Sequence, residues 1–284
     1  MRPGYDLIAD EIDRVQRRLG WRQALVRLDY VRRLELGMAV QLLSLPAGSR
    51  VLDVASGKSP WPFYLALERY CQVVSFDLSD SVRWQRSTWE GLRATRGDLA
   101  ISLQDACLLA FADQTFDVVT AISAIEHVED DGDARALRQM ARVLRPGGAL
   151  YVTLPYDPRG GSACYENRRV YGRRYEGMPV FWKRNYDDRM LAERILRPAQ
   201  ASGLRLREQL CFGEPGFNYF NVVYTNPRLP VWAKVPVLQI TPWASRRFLR
   251  LLSADDLRRV AYPQRRGTAN GVILLWTKPC LGTP

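Results

Sequence analysis

Short aliphatic and β-branched runs alternate along this chain with longer segments whose apolar residues recur at three- and four-residue steps. The runs predict strands over 50–54, 73–77, 100–103, 116–121, 149–154, 204–212 and 271–277. The segments between them predict helices over 61–69, 81–90, 132–144 and 187–202. Strands and helices that alternate in this way predict an α/β fold, a doubly wound and mostly parallel seven-stranded sheet with helices on both faces. Ahead of the first strand, Leu25, Leu28, Val31, Leu34, Met38 and Leu42 keep helical spacing until Pro46-Ala47-Gly48. We therefore expect an N-terminal helical cap over 1–48 and a sheet domain over 49–284. Residues 156–186 and 213–270 exceed what the sheet needs and are read as insertions at its ligand-binding end.

The densest signal is V-L-D-V-A-S-G-K-S-P-W-P-F-Y-L-A from Val51, followed by V-V-S-F-D closing at Asp77. A strand, a tight turn of small residues, a helix, and a second strand ending in an acid form a nucleotide-binding layout. Ala55, Ser56 and Gly57 let backbone approach a ligand, and an acid at Asp77 can accept from both hydroxyls of a ribose. A dinucleotide site wants three spaced glycines, and only Gly57 is present. A P-loop ends as Gly57-Lys58-Ser59 does, but its opening position falls on Leu52 inside the strand. The third reading is the D-x-G-x-G-x-G loop that binds S-adenosylmethionine, matched by Asp53, Ala55, Gly57 and Ser59 with two glycines replaced by small residues.

Further along stand Gln104-Asp105-Ala106, then F-A-D-Q-T-F-D-V-V-T-A from Phe111, I-S-A-I-E-H-V to Val128, and L-R-P-G-G before A-L-Y-V-T-L-P. In this order the motifs over about residues 35–156 resemble the class I methyltransferases of the UbiE/type 11 kind. The resemblance implies the Rossmann-like methyltransferase fold, S-adenosyl-L-methionine as cofactor, and the last strand as an antiparallel edge. It assigns Asp53 and Gly57 to the methionine end of the cofactor and counts Ala55, Ser56 and Ser123 among the cofactor-binding residues. Asp77 and the adjacent Leu78 take the ribose region, Asp105 the adenine amino group, and the Ala106 N–H a ring nitrogen. It also implies that the two insertions build the acceptor pocket.

Composition changes this picture little. The 47% hydrophobic and 25% charged residues describe an ordinary globular protein. Five scattered cysteines and one histidine offer no zinc or iron–sulfur ligand set, and no metal is expected. The cysteine usage predicts a reducing cytoplasm, and the start M-R-P-G-Y-D-L-I-A-D-E-I-D, acidic and poor in apolar run, is not expected to act as a signal peptide. A net charge of +11 favours acidic partners such as phosphorylated acceptors, nucleic acid or anionic lipid, or else records solvated arginines.

Methyl transfer to a hydroxyl needs a base. His127, with Glu126 beside it, follows the fourth strand and is the catalytic candidate; capping or shaping the pocket is its alternative role. Related quinone-pathway enzymes hold a metal with an E-x-x-E-H cluster, but here Ser123 stands in the first position. Tyr156, after the fifth strand, is the third catalytic candidate, with plain packing as its alternative. Residues 159–184 interleave seven basic residues with aromatics, against Glu166 and Glu176. Tyr165, Arg173, Arg174 and Trp182 are its candidate acceptor-binding residues, for a small-molecule or glycan acceptor that bears phosphate, or else the segment is a solvated lid. Residues 229–252, with Trp232, Trp243, Arg246, Arg247 and Arg250, fit a peripheral membrane contact, a partner contact or a pocket lid. The expected activity is S-adenosylmethionine-dependent methylation, at oxygen before nitrogen. RNA methylation and a non-catalytic binding subunit are the rivals, and neither an N-P-P-[YF] tetrapeptide nor an RNA-binding module supports the former.

Overall fold

A computed structural model describes residues 5–24, 28, 30–92, 97–167, 176–216, 230, 233, 236, 240–259 and 270–280. Its centre is a sheet in which β1 (Arg50–Val54) lies between β2 (Gln72–Asp77) and β4 (Phe116–Ile122), parallel to both. β3 (Asp98–Leu103) extends the sheet beyond β2, and β5 (Leu144–Pro155) extends it beyond β4, both in parallel register. β1 and β4 are buried along nearly their whole length because helices cover both faces. The order reverses between β1 and β4, and the crevice beyond their carboxyl ends is where open α/β sheets bind ligands.

The far side of the sheet departs from expectation. β10 (Gly271–Thr277) is no edge strand: it pairs antiparallel with β5 on one side and with β8 (Arg205–Gly213) on the other. Gly271 through Trp276 are all buried, as six consecutive apolar-to-small residues require of an interior strand. The edge falls to β9 (Arg250–Leu252), three residues paired with Cys211, Phe212 and Gly213, so the sheet has eight described strands rather than seven. β5 also begins five residues earlier than expected. Leu144 pairs with Phe116 before a bulge, and a Cβ at Gly148 would stand 2.8 Å from the Asp117 carbonyl oxygen, so only glycine lets the strands close there.

α1 (Tyr5–Arg18), α2 (Trp21–Ala24), α3 (Tyr30–Leu42) and α4 (Trp61–Leu67) cover one face. There Ile12, Leu34, Met38, Trp61, Phe63 and Leu65 form one core with Val51 and Val73. α5 (Ser81–Leu92) lies beside β2 and β3. On the opposite face α6 (Gly132–Val143) buries Ala136, Leu137, Met140, Ala141 and Val143, the three- and four-residue spacing of an amphipathic helix. α7 (Asp188–Leu191) runs through one π-helical turn (Ala192–Leu196) into α8 (Arg197–Ala201) and packs beside α6.

The segment after β5 makes its own antiparallel pair, β6 (Ser162–Glu166) and β7 (Val180–Asn185). It is fastened beneath the end of β4. The Arg184 guanidinium donates to the Val128 and Asp130 carbonyls, and buried Asp133 accepts from Tyr186 and Arg194. α9 (Thr241–Phe248) packs on α3 and α1, with Trp243 exposed. No helix among the described residues is long and apolar enough to cross a membrane.

Candidate active site

A cavity of about 570 Å³ opens at the carboxyl ends of β1, β2 and β4. Its walls include Asp53, Ala55, Ser56, Gly57, Asp77, Leu78, Asp105, Ala106 and Ser123, so every residue expected to face the cofactor meets in one space. His127 joins them, and Gln16, Leu28, Arg32 and Leu36 of the N-terminal segment close the far wall.

The loop after β1 turns sharply. Ala55 and Gly57 both adopt left-handed backbone, φ 51° and 56°. For alanine that conformation costs about 1–2 kcal/mol; at Gly57 it is cheap, and no atom lies within 4 Å of the place a Cβ would take, which leaves the space to a ligand. Two side chains from β2 and α5 hold the loop. Gln85 donates to Ser56 Oγ (2.7 Å) and to the Gly57 carbonyl (2.6 Å), and Ser75 Oγ donates to Gln85 Oε1 (2.8 Å). Asp77 is fixed by two backbone donors, the Gly57 N–H to Oδ2 (2.9 Å) and the Ser79 N–H to Oδ1 (2.8 Å). Each oxygen keeps lone-pair capacity for a ribose hydroxyl. Asp105 accepts from the Cys107 N–H at 2.8 Å, a turn bond that aims the buried Ala106 segment at the cavity.

Asp53 is 2% exposed. Its Oδ1 accepts from Thr120 Oγ1 at 2.7 Å, while Oδ2 is buried without a hydrogen-bond partner. Burial pushes its carboxyl up to about 7, opposed by the Thr120 hydrogen bond and the Arg32 charge. A half-ionised, unsatisfied carboxylate at the cavity wall suits a cationic ligand group. With the doubly anchored Asp77 and the open cradle at Gly57, these residues fit an adenosylated amino acid.

His127 sits in a 3₁₀ turn (Ile125–His127) after β4. Its Nδ1 lies 2.7 Å from the Trp182 carbonyl, which makes Nδ1 the protonated nitrogen and Nε2 the basic one. Nε2 is 3.6 Å from Glu126 Oε1. The ring is less basic than the sequence suggested: burial, reinforced by the Lys183 and Arg32 charges, lowers it to about 4 despite the Trp182 hydrogen bond. Glu126 is buried and pushed up to about 8 by burial, with Oε2 lacking a partner. At neutral pH His127 is therefore uncharged and Glu126 mostly protonated.

Ser123, in left-handed backbone at φ 44°, donates to Glu35 Oε1 of α3 (2.8 Å). Glu35 and Arg32 carry no motif and were invisible to sequence reading; only the packing of α3 over β4 brings them to the site. Among the described residues no group of three or more His, Cys, Asp and Glu side chains is placed to hold a metal ion.

The acceptor-side expectations fare differently. Tyr156 is fully buried in the core and outside the cavity; its hydroxyl donates to Asp188, which, with burial, raises its pKa far above the usual phenol value. It sits away from the cavity because β5 turns it toward α7. Tyr165 stacks edge-on against Phe181 and is half exposed, also outside the cavity. Trp182 reaches the site through its carbonyl and places its ring 6.5 Å from that of His127. Arg173 and Arg174 lie outside the described residues, as do Trp232 and most of 217–239. No described residue of either insertion lines the cavity; its outer wall comes from the N-terminal helices instead.

Residues 52–152 match the family model described as a methyltransferase domain. Over 137 residues the chain is 31% identical to the 27-O-demethylrifamycin SV methyltransferase of Amycolatopsis mediterranei, covering 46% of this chain and 49% of that one. Over 199 residues it is 32% identical to the ubiquinone/menaquinone biosynthesis C-methyltransferase UbiE of Teredinibacter turnerae, covering 68% and 77%. The chain spans about half or less of the length of several curated relatives it matches. Among solved structures, an S-adenosylmethionine-dependent methyltransferase from Methanosarcina mazei superposes with a TM-score of 0.54 at 13% identity, covering 86% of this chain and 97% of that one. At that identity the likeness speaks for the fold alone.

Proposed function

The chain belongs to the class I S-adenosylmethionine-dependent methyltransferases, and on that premise we propose that it methylates a hydroxyl of a small molecule, natural product or glycoconjugate. The observation that carries this reading is the single cavity that gathers Asp53, Gly57, Asp77, Asp105 and His127. The family's cofactor supplies an activated methyl on a sulfonium; the protein's part is to align the acceptor and receive its proton. Asp77, Leu78, Asp105 and Ala106 hold the nucleoside, and Asp53, Ala55, Ser56, Gly57 and Ser123 face the amino-acid end. The acceptor proton passes to His127 Nε2, and the Glu126 carboxyl at 3.6 Å, in its ionised form, steadies the charge that develops. Support for oxygen comes from the rifamycin relative, an enzyme named for methylating an oxygen. The relative aligned over most of this chain acts at carbon, so carbon is the rival acceptor atom. The scattered cysteines support a cytoplasmic setting, and exposed Trp243 with Arg246 and Arg247 supports peripheral contact with anionic lipid.

The test has two parts. Calorimetry with S-adenosylhomocysteine measures cofactor binding. Transfer from methyl-labelled S-adenosylmethionine is then scored against hydroxyl, amine and carbon acceptors and against bulk RNA. Label on a small-molecule oxygen is the expected result. Binding without transfer to anything would point to a non-catalytic subunit, and label on RNA would overturn the small-molecule reading.

A further inference from the structure

The single histidine of the chain is met by a strand that lies more than fifty residues further along. β7 pairs with β6 as an antiparallel hairpin, but the register slips. Lys183 stands opposite Cys164 and Phe181 opposite Tyr165, which leaves Trp182 as an extra residue with no register partner in β6. A bulge of this kind bends its strand and takes one residue out of the ladder. The carbonyl of that residue lies 2.7 Å from His127 Nδ1. Two residues on, the Arg184 guanidinium donates through Nη1 to the Val128 carbonyl and through Nη2 to the Asp130 carbonyl. The bulge and the guanidinium together grip the short stretch from His127 to Asp130 at three points. We propose that the β6–β7 hairpin sets the tautomer of His127, with Arg184 as the positioning residue that holds the Trp182 carbonyl on Nδ1. The proposal rests on the reading of His127 as the base, and adds what makes Nε2 the nitrogen that takes the proton.

A carbonyl oxygen can only accept, so the ring nitrogen that faces it must carry the hydrogen. Glu126 Oε1, at 3.6 Å from Nε2, stands beyond hydrogen-bond distance and holds the ring less firmly. Arg184 suits the part it is given. It is buried, its guanidinium lies 4.8 Å over the Phe181 ring, and its two terminal nitrogens reach two carbonyls on one loop. A lysine keeps the charge but lacks the planar fork that spans both. The loop itself needs such ties, because Asp130 adopts left-handed backbone at φ 53°, a conformation that persists only where its surroundings hold it.

Because His127 is the only histidine, NMR of the full chain labelled with ¹⁵N-histidine, made without a histidine tag, reads this one ring directly. At neutral pH the wild-type ring is expected to show one tautomer, with the hydrogen on Nδ1 and two well-separated nitrogen shifts. In Arg184→Lys, and in Arg184→Met where it folds, the two shifts should move toward a common average as both tautomers populate. In the transfer assay Arg184→Lys should lower kcat, by up to the roughly 10²-fold expected for loss of the base, and leave the KM for S-adenosylmethionine unchanged. Arg194→Met is the control. Its guanidinium donates to the Asp130 carbonyl and to Asp133 but not to Val128, so it should lower the melting temperature and leave the wild-type tautomer. A wild-type ring with its hydrogen on Nε2, or with mixed tautomers, overturns the proposal. So does a wild-type pattern in folded Arg184→Lys, or an equal change in Arg194→Met, which would mean general loosening. Normal turnover by His127→Ala, with a tautomer that still follows Arg184, removes the base reading alone.

Discussion

Replacing Asp77 by alanine separates what this carboxylate does for the ligand from what it does for the loop. In the folded chain its two oxygens accept from the Gly57 and Ser79 amides at 2.9 and 2.8 Å. Alanine leaves both N–H groups without that acceptor at a half-buried site that water can reach, so the expected cost in stability is about 1–2 kcal/mol. Affinity should suffer more. A ribose diol donates two hydrogen bonds to a charged acceptor, each worth about 1.5–3 kcal/mol, less what water restores, and the freed Gly57 no longer holds its left-handed turn. The net expectation is a loss of about 2–4 kcal/mol in S-adenosylhomocysteine binding, or roughly 30- to 1,000-fold in Kd. Asp77→Asn makes the argument sharper. It keeps the shape and one acceptor oxygen but turns an NH₂ toward one of the two backbone donors, so it should fall between wild type and alanine in both readouts. Thermal melting gives the stability difference and isothermal calorimetry the affinity. A folded Asp77→Ala protein that binds S-adenosylhomocysteine as wild type does would sink the ribose assignment.

The other expectations concern protons, anchoring and the insertion. Because Asp53 titrates near 7 and a cationic tail binds its ionised form, S-adenosylhomocysteine affinity should fall as pH drops below 7, by about tenfold per unit well below that point, with proton uptake in solution as the tail leaves; Thr120→Val removes the hydrogen bond that lowers this pKa and should move the whole limb to higher pH. His127→Ala should cost roughly 10²-fold in kcat with the true acceptor, and the wild-type profile should rise through about pH 8 as Glu126 ionises, a limb that Glu126→Gln abolishes; a limb near 6.5 instead would mean that His127 is not held low. Arg184→Met breaks the bonds to the Val128 and Asp130 carbonyls and should destabilise the fold by about 2–4 kcal/mol in urea titrations. The paired change Arg173→Ala, Arg174→Ala should raise acceptor KM without altering cofactor affinity, with a smaller loss at high salt if the acceptor bears phosphate; equal KM values for mutant and wild type at both salt concentrations would remove the idea of a basic clamp.

Local patterns along the chain were enough to bring the residues proposed for the cofactor into one cavity. The strand–turn–helix run at Val51–Ala66, the acid ending β2 and the Asp105-Ala106 turn are each short in sequence, and the parallel sheet lines up the ends of consecutive strands, so these residues had to meet. Strand and helix positions followed from periodicity for the same reason, since burial on one or two faces writes itself into spacing. What needed the third dimension was everything set by long-range packing. The interior place of β10 depends on which strand ends up beside β8, a choice made over a separation that no local signal spans. Tyr156 turned into the core because α7 covers that side of β5. The basicity of His127 is decided by burial and by the Lys183 and Arg32 charges, which arrive from β7 and α3. Gln85, Ser75, Thr120, Glu35 and Arg32 share no motif, because a buried hydrogen bond asks only for a donor and an acceptor at the right distance, and many residue types can supply either. The sequence by itself determined which strand ends meet at the cavity; tertiary structure alone decided which side chains surround it, and with what charge.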